Sequence, residues 1–260
     1  MKSNYTKDVP GKSVADLGVD YKSGSFNCSD NKLTSLAGAP SHVGGDFDCT
    51  HNELTSLTGA PSRVDGGFYC RVCTLKSLKG APSHVGGDFD CSSNRLTSLA
   101  GAPSRVGRGF YCTHNELTSL AGAPSRVGGG FYCSDNKLTS LEGAPSHVGG
   151  DFSCRVCTLK SLKGAPSHVD GYFYCAHNKL TSLKDVHKHI TDIKGEFYAI
   201  ENPISSHVLG LLLIKGVTEV RLDNEQVEEI LNRHLGKGRA GMLMAQEELI
   251  EAGLEEFAQL

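Results

Sequence analysis

The chain has 260 residues, and 26 Lys and Arg against 29 Asp and Glu leave a net charge of −3. That balance excludes the strongly basic character of a nucleic-acid domain, whose pI usually exceeds about 9, and no run approaches the roughly 18 apolar residues of a membrane-crossing helix. The length admits one large or two smaller domains.

Residues 1–21 open with Met1-Lys2-Ser3-Asn4-Tyr5-Thr6-Lys7-Asp8, which lacks the apolar stretch of a secretory signal. From Cys28 to Cys175 the pattern F-x-C-x-x-N-x-L-T-S-L-x-G-A-P-S-(H/R)-V-x-G recurs every 21 residues, eight times, with Cys in the Asn slot of two copies. A fixed short period means one supersecondary unit stacked on copies of itself. Residues 1–21 are expected to cap the N-terminal end of that stack. A degenerate ninth copy ends it, with Phe197, Ala199, Asn202 and Ile204 in the places of Phe, Cys, Asn and Leu.

Within one copy, Asp46-Phe47-Asp48-Cys49-Thr50 alternates with period two, so Phe47 and Cys49 face one way and their polar neighbours the other, as in a half-buried strand. Strands stacked about 4.8 Å apart would form a parallel sheet roughly 40 Å long. Gly38, Ala39, Pro40 and the Gly44-Gly45 pair leave no room for a long return helix, so the outer side is expected to be extended or 3₁₀. Asn31, Asn52, Asn94, Asn115, Asn136 and Asn178 stand where the chain leaves each strand, and their amides are expected to bond loop backbone of neighbouring turns.

The run Phe47-x-Cys49-x-x-Asn52-x-Leu54-x-x-Leu57 resembles the leucine-rich repeat. With Leu54-Thr55-Ser56-Leu57 and Pro61 it is similar to the short repeats of bacterial secreted effectors, although the effectors' ligase domain has no counterpart. The resemblance covers 22–207 and implies an α/β repeat solenoid: a leucine-rich repeat array with one parallel β-sheet, a non-helical outer side and a small α-helical C-terminal cap. Asn202-Pro203-Ile204, Ser206–Gly210 and Ala245–Gly253 are similar, more loosely, to repeat proteins of bacteriophage genomes.

The C-terminal unit, 208–260, is acidic: residues 217–260 hold ten Asp and Glu against four Lys and Arg. Val208–Ile214 reads as a core element closing the stack. A helix N-capped by Asp223 would bury Val227, Ile230 and Leu231 and end at Gly236; a second would bury Leu243, Ile250, Leu254 and Phe257.

The strand residues between Phe and Cys vary from turn to turn and form the open, concave strand face. Asp46, Asp48, Tyr69, Arg71, Asp88, Asp90, Tyr111, Tyr132, Asp151, Arg155, Tyr172, Tyr174 and Tyr198 are the candidate partner-binding residues, and they include six of the eight tyrosines of the chain. Tyrosine offers large area and a hydroxyl, the combination enriched at interfaces, although it is also a good strand former.

A row of His42, Arg63, His84, Arg105, Arg126, His147 and His168 precedes the repeated Val; it is a weak electrostatic footprint, so nucleic acid is not expected as a partner. Cys70-x-x-Cys73 and Cys154-x-x-Cys157 lie four turns apart, about 19 Å along a stack. They cannot share one metal, and core packing accounts for them, so no metal and no cofactor are expected. Neither a nucleophile–base pair nor a phosphate-binding glycine loop stands outside the copied positions. The chain is expected to be a non-enzymatic binder of a protein partner, cytoplasmic because ten cysteines are placed by the repeat and not by pairing. The phage-like tail implies a bacterial host or antiviral-defence protein as target, met in the host cytoplasm. A sponge for a small ligand or signalling nucleotide, or a structural virion or surface component, are the other readings.

Overall fold

Nine phenylalanines run through the molecule as one column. Phe26, Phe47, Phe68, Phe89, Phe110, Phe131, Phe152 and Phe173 each begin a two-residue strand, and Phe197 sits in the longer Glu196–Tyr198. The strands pair in parallel with phenylalanine opposite phenylalanine. Successive ring centroids are 5.1–5.8 Å apart, and no ring is more than 2% exposed. Burial of each ring contributes about 1.5–3 kcal/mol, and ring packing about 0.5–1.5 kcal/mol per pair beyond that. This computed structural model describes residues 12–260. Of the expected N-terminal cap, 12–21 include a 3₁₀ turn, Val14–Leu17, with Val14 and Leu17 buried against the array; the signal reading of Met1–Asp8 lies outside the described residues.

The cysteines two positions on, and the two leucines of each turn, fill the space beside the column. The asparagine ladder closes it. In mid-array, Asn115 Nδ2 donates to Cys91 O and Cys112 O at 3.1 and 3.2 Å while Oδ1 accepts from Leu96 N at 3.0 Å. Cys73, in the same slot of its turn, keeps only part of this, its Sγ donating to Cys49 O at 3.4 Å.

The return path carries a second sheet, where a single sheet was expected. Eight two-residue strands, from His42–Val43 to Asp192–Ile193, pair in parallel on the far side of the core. The valines point inward, buried to 4% exposure or less, and the preceding His or Arg outward. The serine before each pair holds the rungs: Ser104 and Ser167 Oγ donate to the preceding turn's serine carbonyl at 3.0 Å in both cases. Between front and back sheets the chain turns through Leu99–Ala102, closed by Ala102 N–H to Leu99 O at 2.9 Å. Gly101 takes φ +89° there, the type II position that glycine fills without strain.

The front sheet runs past the expected end of the array. Glu219–Arg221 adds a tenth strand against Glu196–Tyr198. A four-residue helix, α1 (Val186–His189), interrupts the expected non-helical outer side in the return path before Asp192–Ile193, and the cap beyond it consists of a 3₁₀ segment, Leu209–Leu213, and helices α2 (Glu225–His234) and α3 (Gly238–Glu251). As expected, Val208–Ile214 is buried almost throughout, and α2 buries Val227, Ile230 and Leu231. Two details differ. The N-cap of α2 is Asn224, whose side chain accepts from Val227 N at 3.1 Å, because Asp223 instead accepts from Glu201 N and Asn202 N at 2.8 and 3.1 Å. In α3 the buried stripe is Met242, Ala245 and Leu249, leaving Leu243 and Ile250 exposed at 50% and 49%. His234 of α2, itself buried, fixes this rotation through Nε2 to Glu248 Oε1 at 2.7 Å.

Candidate partner-binding face

Among the described residues no layer covers the front sheet's other surface, and the candidate residues all lie on its strands or at their ends. Most fall into two kinds of turn, while Asp151, Tyr172, Tyr174 and Tyr198 lie in turns of other composition. In one, an aspartate stands on each side of the phenylalanine, and both carboxylates serve the backbone. Asp46 and Asp88 Oδ1 accept from Gly67 N and Gly109 N of the next turn at 2.7 Å each, and Asp151 Oδ1 from Tyr172 N at 2.9 Å. Asp48 and Asp90 Oδ1 accept from Thr50 N and Ser92 N at 2.9 and 3.0 Å. Each of these five aspartates therefore has one oxygen committed to the fold.

In the other kind, glycine precedes the phenylalanine and tyrosine comes after it. The ring lies down over the glycine: a Cβ on Gly109 or Gly130 would come within 2.6 Å of the Tyr111 or Tyr132 ring, and one on Gly67 within 2.4 Å of the Tyr69 hydroxyl. Tyr111 and Tyr132, on adjacent turns, stack with centroids 4.8 Å apart and planes at 7°. Both rings are half-buried. Burial, and then the carboxylates of Asp88 and Asp90 for Tyr111 and of Asp151 for Tyr132, push their phenols above the ordinary value. They remain protonated donors at neutral pH.

A second aromatic group lies two turns on. Tyr172 and Tyr174, on either side of Phe173, are 5.7 Å apart, and Tyr174 meets Tyr198 edge-on at 5.9 Å. Between the groups stands the turn with Asp151 and Ser153, where Ser134 and Ser153 hydroxyls bond at 2.9 Å. Arg71 reaches Asp90 at 3.9 Å, and Arg155 is exposed at the equivalent place four turns on.

The next residue of each arginine turn was not singled out by sequence reasoning. Val72 and Val156 have φ +51° and are 42% and 46% exposed. A β-branched residue is an outlier in the left-handed region. The other regular turns put Asp30, His51, Ser93, His114, Asp135 and His177 there. The signal available in the sequence was the contrast itself.

The cysteines are packing residues. Burial raises every thiol, that of Cys157 to about 11 and the fully buried ones further, which favours the protonated form over the thiolate that binds metal or attacks disulfides. Among the described residues no cluster of three metal-ligating side chains occurs, and no helix is long and apolar enough to cross a membrane.

A solenoid of about 21-residue turns, with a front sheet of stacked F-x-C strands and an asparagine ladder, is the fold of a short-repeat leucine-rich repeat protein. No family model and no curated protein sequence matches the chain. Among solved structures it is similar to YopM from Yersinia enterocolitica WA-314, a leucine-rich repeat protein, with a TM-score of 0.53 and 19% identity. That likeness covers 76% of this chain but 47% of the other, so the chain spans about half that protein's length.

Proposed function

We propose that the chain is a non-enzymatic scaffold that binds a protein partner on the open face of its front sheet, centred on Tyr111 and Tyr132. The observation that carries this reading is the stacked pair itself. Two large rings are laid flat by glycines that the turn keeps for them, in the middle of the array, with their hydroxyls still donors. Centrally placed aromatic residues are the usual hot spots of an interface, each costing about 2 kcal/mol or more when truncated. The flanking aspartates and arginines, and the group of Tyr172, Tyr174 and Tyr198, form the surrounding contacts. The tail's likeness to phage repeat proteins supports the further reading that the target is a bacterial host or antiviral-defence protein, bound and inhibited in the host cytoplasm. The test is capture from bacterial lysate by the immobilised chain and by Tyr111→Ala/Tyr132→Ala. A stoichiometric protein held by the first and at least tenfold weaker on the second supports the proposal. Equal capture by both places the interface elsewhere, and a co-purifying small molecule without protein replaces the scaffold by a ligand trap.

A further inference from the structure

On the back sheet, the outward residue of successive turns is His42, Arg63, His84, Arg105, Arg126, His147 and His168. Parallel register sets these directly side by side, about 4.8 Å apart, where like charges repel. Towards each end the array supplies its own counter-charge, in the position just after the valine. Asp65 accepts from Arg63 Nε and His42 Nε2 at 2.7 and 2.8 Å, and Asp170 meets Lys194 and His147 at 2.6 and 3.3 Å. These hydrogen bonds hold both carboxyls below the usual carboxylate range.

Between them the same position is Gly86, Gly107, Gly128 and Gly149. Among the described residues, no carboxylate lies within ion-pair distance of His84, Arg105 or Arg126, and the exposed Arg108 adds a further cation without one. The backbone there cannot take an aspartate as it stands. A Cβ on Gly107 or Gly128 would lie 2.1 Å from the carbonyl oxygen of the turn before. The result is an open trough with a glycine floor, walled by His84, Arg105, Arg126 and His147 and closed at one end by Asp170. Asp170 serves His147 and Lys194, so the counter-charge for His84, Arg105 and Arg126 in the middle turns must come from outside.

We propose that this trough binds a short acidic peptide segment of a protein partner, its carboxylates taking over the middle turns the role that Asp65 and Asp170 play at the ends. Two observations favour carboxylates over a phosphate backbone: the fold's own counter-ions here are carboxylates, and the unpaired row is only a few turns long. Arg105 and Arg126 present guanidinium forks suited to carboxylate oxygens, and the missing side chains let a peptide backbone come close. The site lies on the opposite sheet from Tyr111 and Tyr132, so it stands or falls independently of them.

The probe is a fluorescein-labelled octa-glutamate peptide, followed by anisotropy with the full chain at low salt. Saturable binding that weakens as salt rises is expected. In Arg105→Gln/Arg126→Gln it should weaken about tenfold or more, equivalent to about 1.4 kcal/mol, with the melting temperature unchanged. Arg63→Gln, which removes an arginine already paired with Asp65, and Tyr111→Ala/Tyr132→Ala should bind as the parent does. The proposal is overturned if the peptide shows no saturable binding, if the double arginine variant binds it as tightly as the parent, or if labelled eight-nucleotide oligo(dT) binds more tightly than the peptide, which would make the trough a phosphate site.

Discussion

Replacing Asn115 by alanine isolates what one rung of the amide ladder contributes. Its Nδ2 reaches Cys91 O, Cys112 O and Thr113 O, but these carbonyls keep other partners: Asn94 Nδ2 at 3.0 Å, Asn136 Nδ2 at 3.0 Å and Ser93 N at 2.9 Å. The exception is on the acceptor side. Leu96 N–H, in a residue with no exposed surface, donates to Asn115 Oδ1 and has no other partner among the described residues. Asn115→Ala therefore orphans one buried donor, which costs about 1–3 kcal/mol, while the carbonyls lose only a shared bond. For a chain of this size about 2 kcal/mol lowers Tm by roughly 4–8 °C. Asn115→Cys, which installs the side chain that Cys73 and Cys157 already place in this slot, should fall between alanine and the parent. Thermal melts followed by far-ultraviolet circular dichroism, with denaturant melts to test two-state behaviour, give the ranking. An Asn115→Ala protein that melts with the parent would refute the ladder's role.

Val72→Asn should stabilise by about 1 kcal/mol, since asparagine tolerates the left-handed region that valine resists; a denaturant midpoint that falls would show that the valine makes packing contacts worth more than its strain. Glu248 has its carboxyl held below the ordinary 4.5, first by His234 and then by the Arg233 charge. A folded-state pKa depressed in this way contributes stability that is complete above the unfolded-state value and lost as pH falls through the folded one. Between pH 5 and pH 3 the cap of the parent should therefore lose more stability than that of Glu248→Gln, and parallel acid titrations of the helical signal would contradict this.

The front sheet, its phenylalanine column and the asparagine rungs were legible in the sequence because each position is copied every 21 residues and its chemistry is strongly constrained. The back sheet was not. Two residues, one exposed and one buried, are too short for an alternation to register, and its hydrogen bonds come from neighbouring turns, which no local window contains. The cap was legible as helices but not in its rotation. Met242, Leu243, Leu249 and Ile250 offer two adjacent apolar stripes, and the choice rests on the tertiary bond from His234 to Glu248. On the open face the identity of the residues could be read, but not that five aspartates are partly spent on backbone or that the tyrosines lie flat. Those facts depend on pairs such as Asp88 with Gly109 N, set by register between turns.

The contact of Tyr111 with Gly109, and of Tyr132 with Gly130, constrains how such a surface can change over generations. A tyrosine introduced alone at Asp48 or Asp90 could not lie flat as Tyr111 does, because Asp46 or Asp88 stands in the glycine's place, and an aspartate introduced at Gly109 would meet the Tyr111 ring. In those turns the residues flanking the phenylalanine form two-letter words, Gly with Tyr or Asp with Asp, whose members change together, whereas Asp151 with Ser153, Tyr172 with Tyr174 and Glu196 with Tyr198 follow neither rule. Duplication or loss of whole turns moves such words intact past one another while every buried rung finds an equivalent neighbour. Unequal recombination among near-identical 21-residue segments can in this way shuffle the pattern displayed on the open face without passing through an unfolded intermediate sequence.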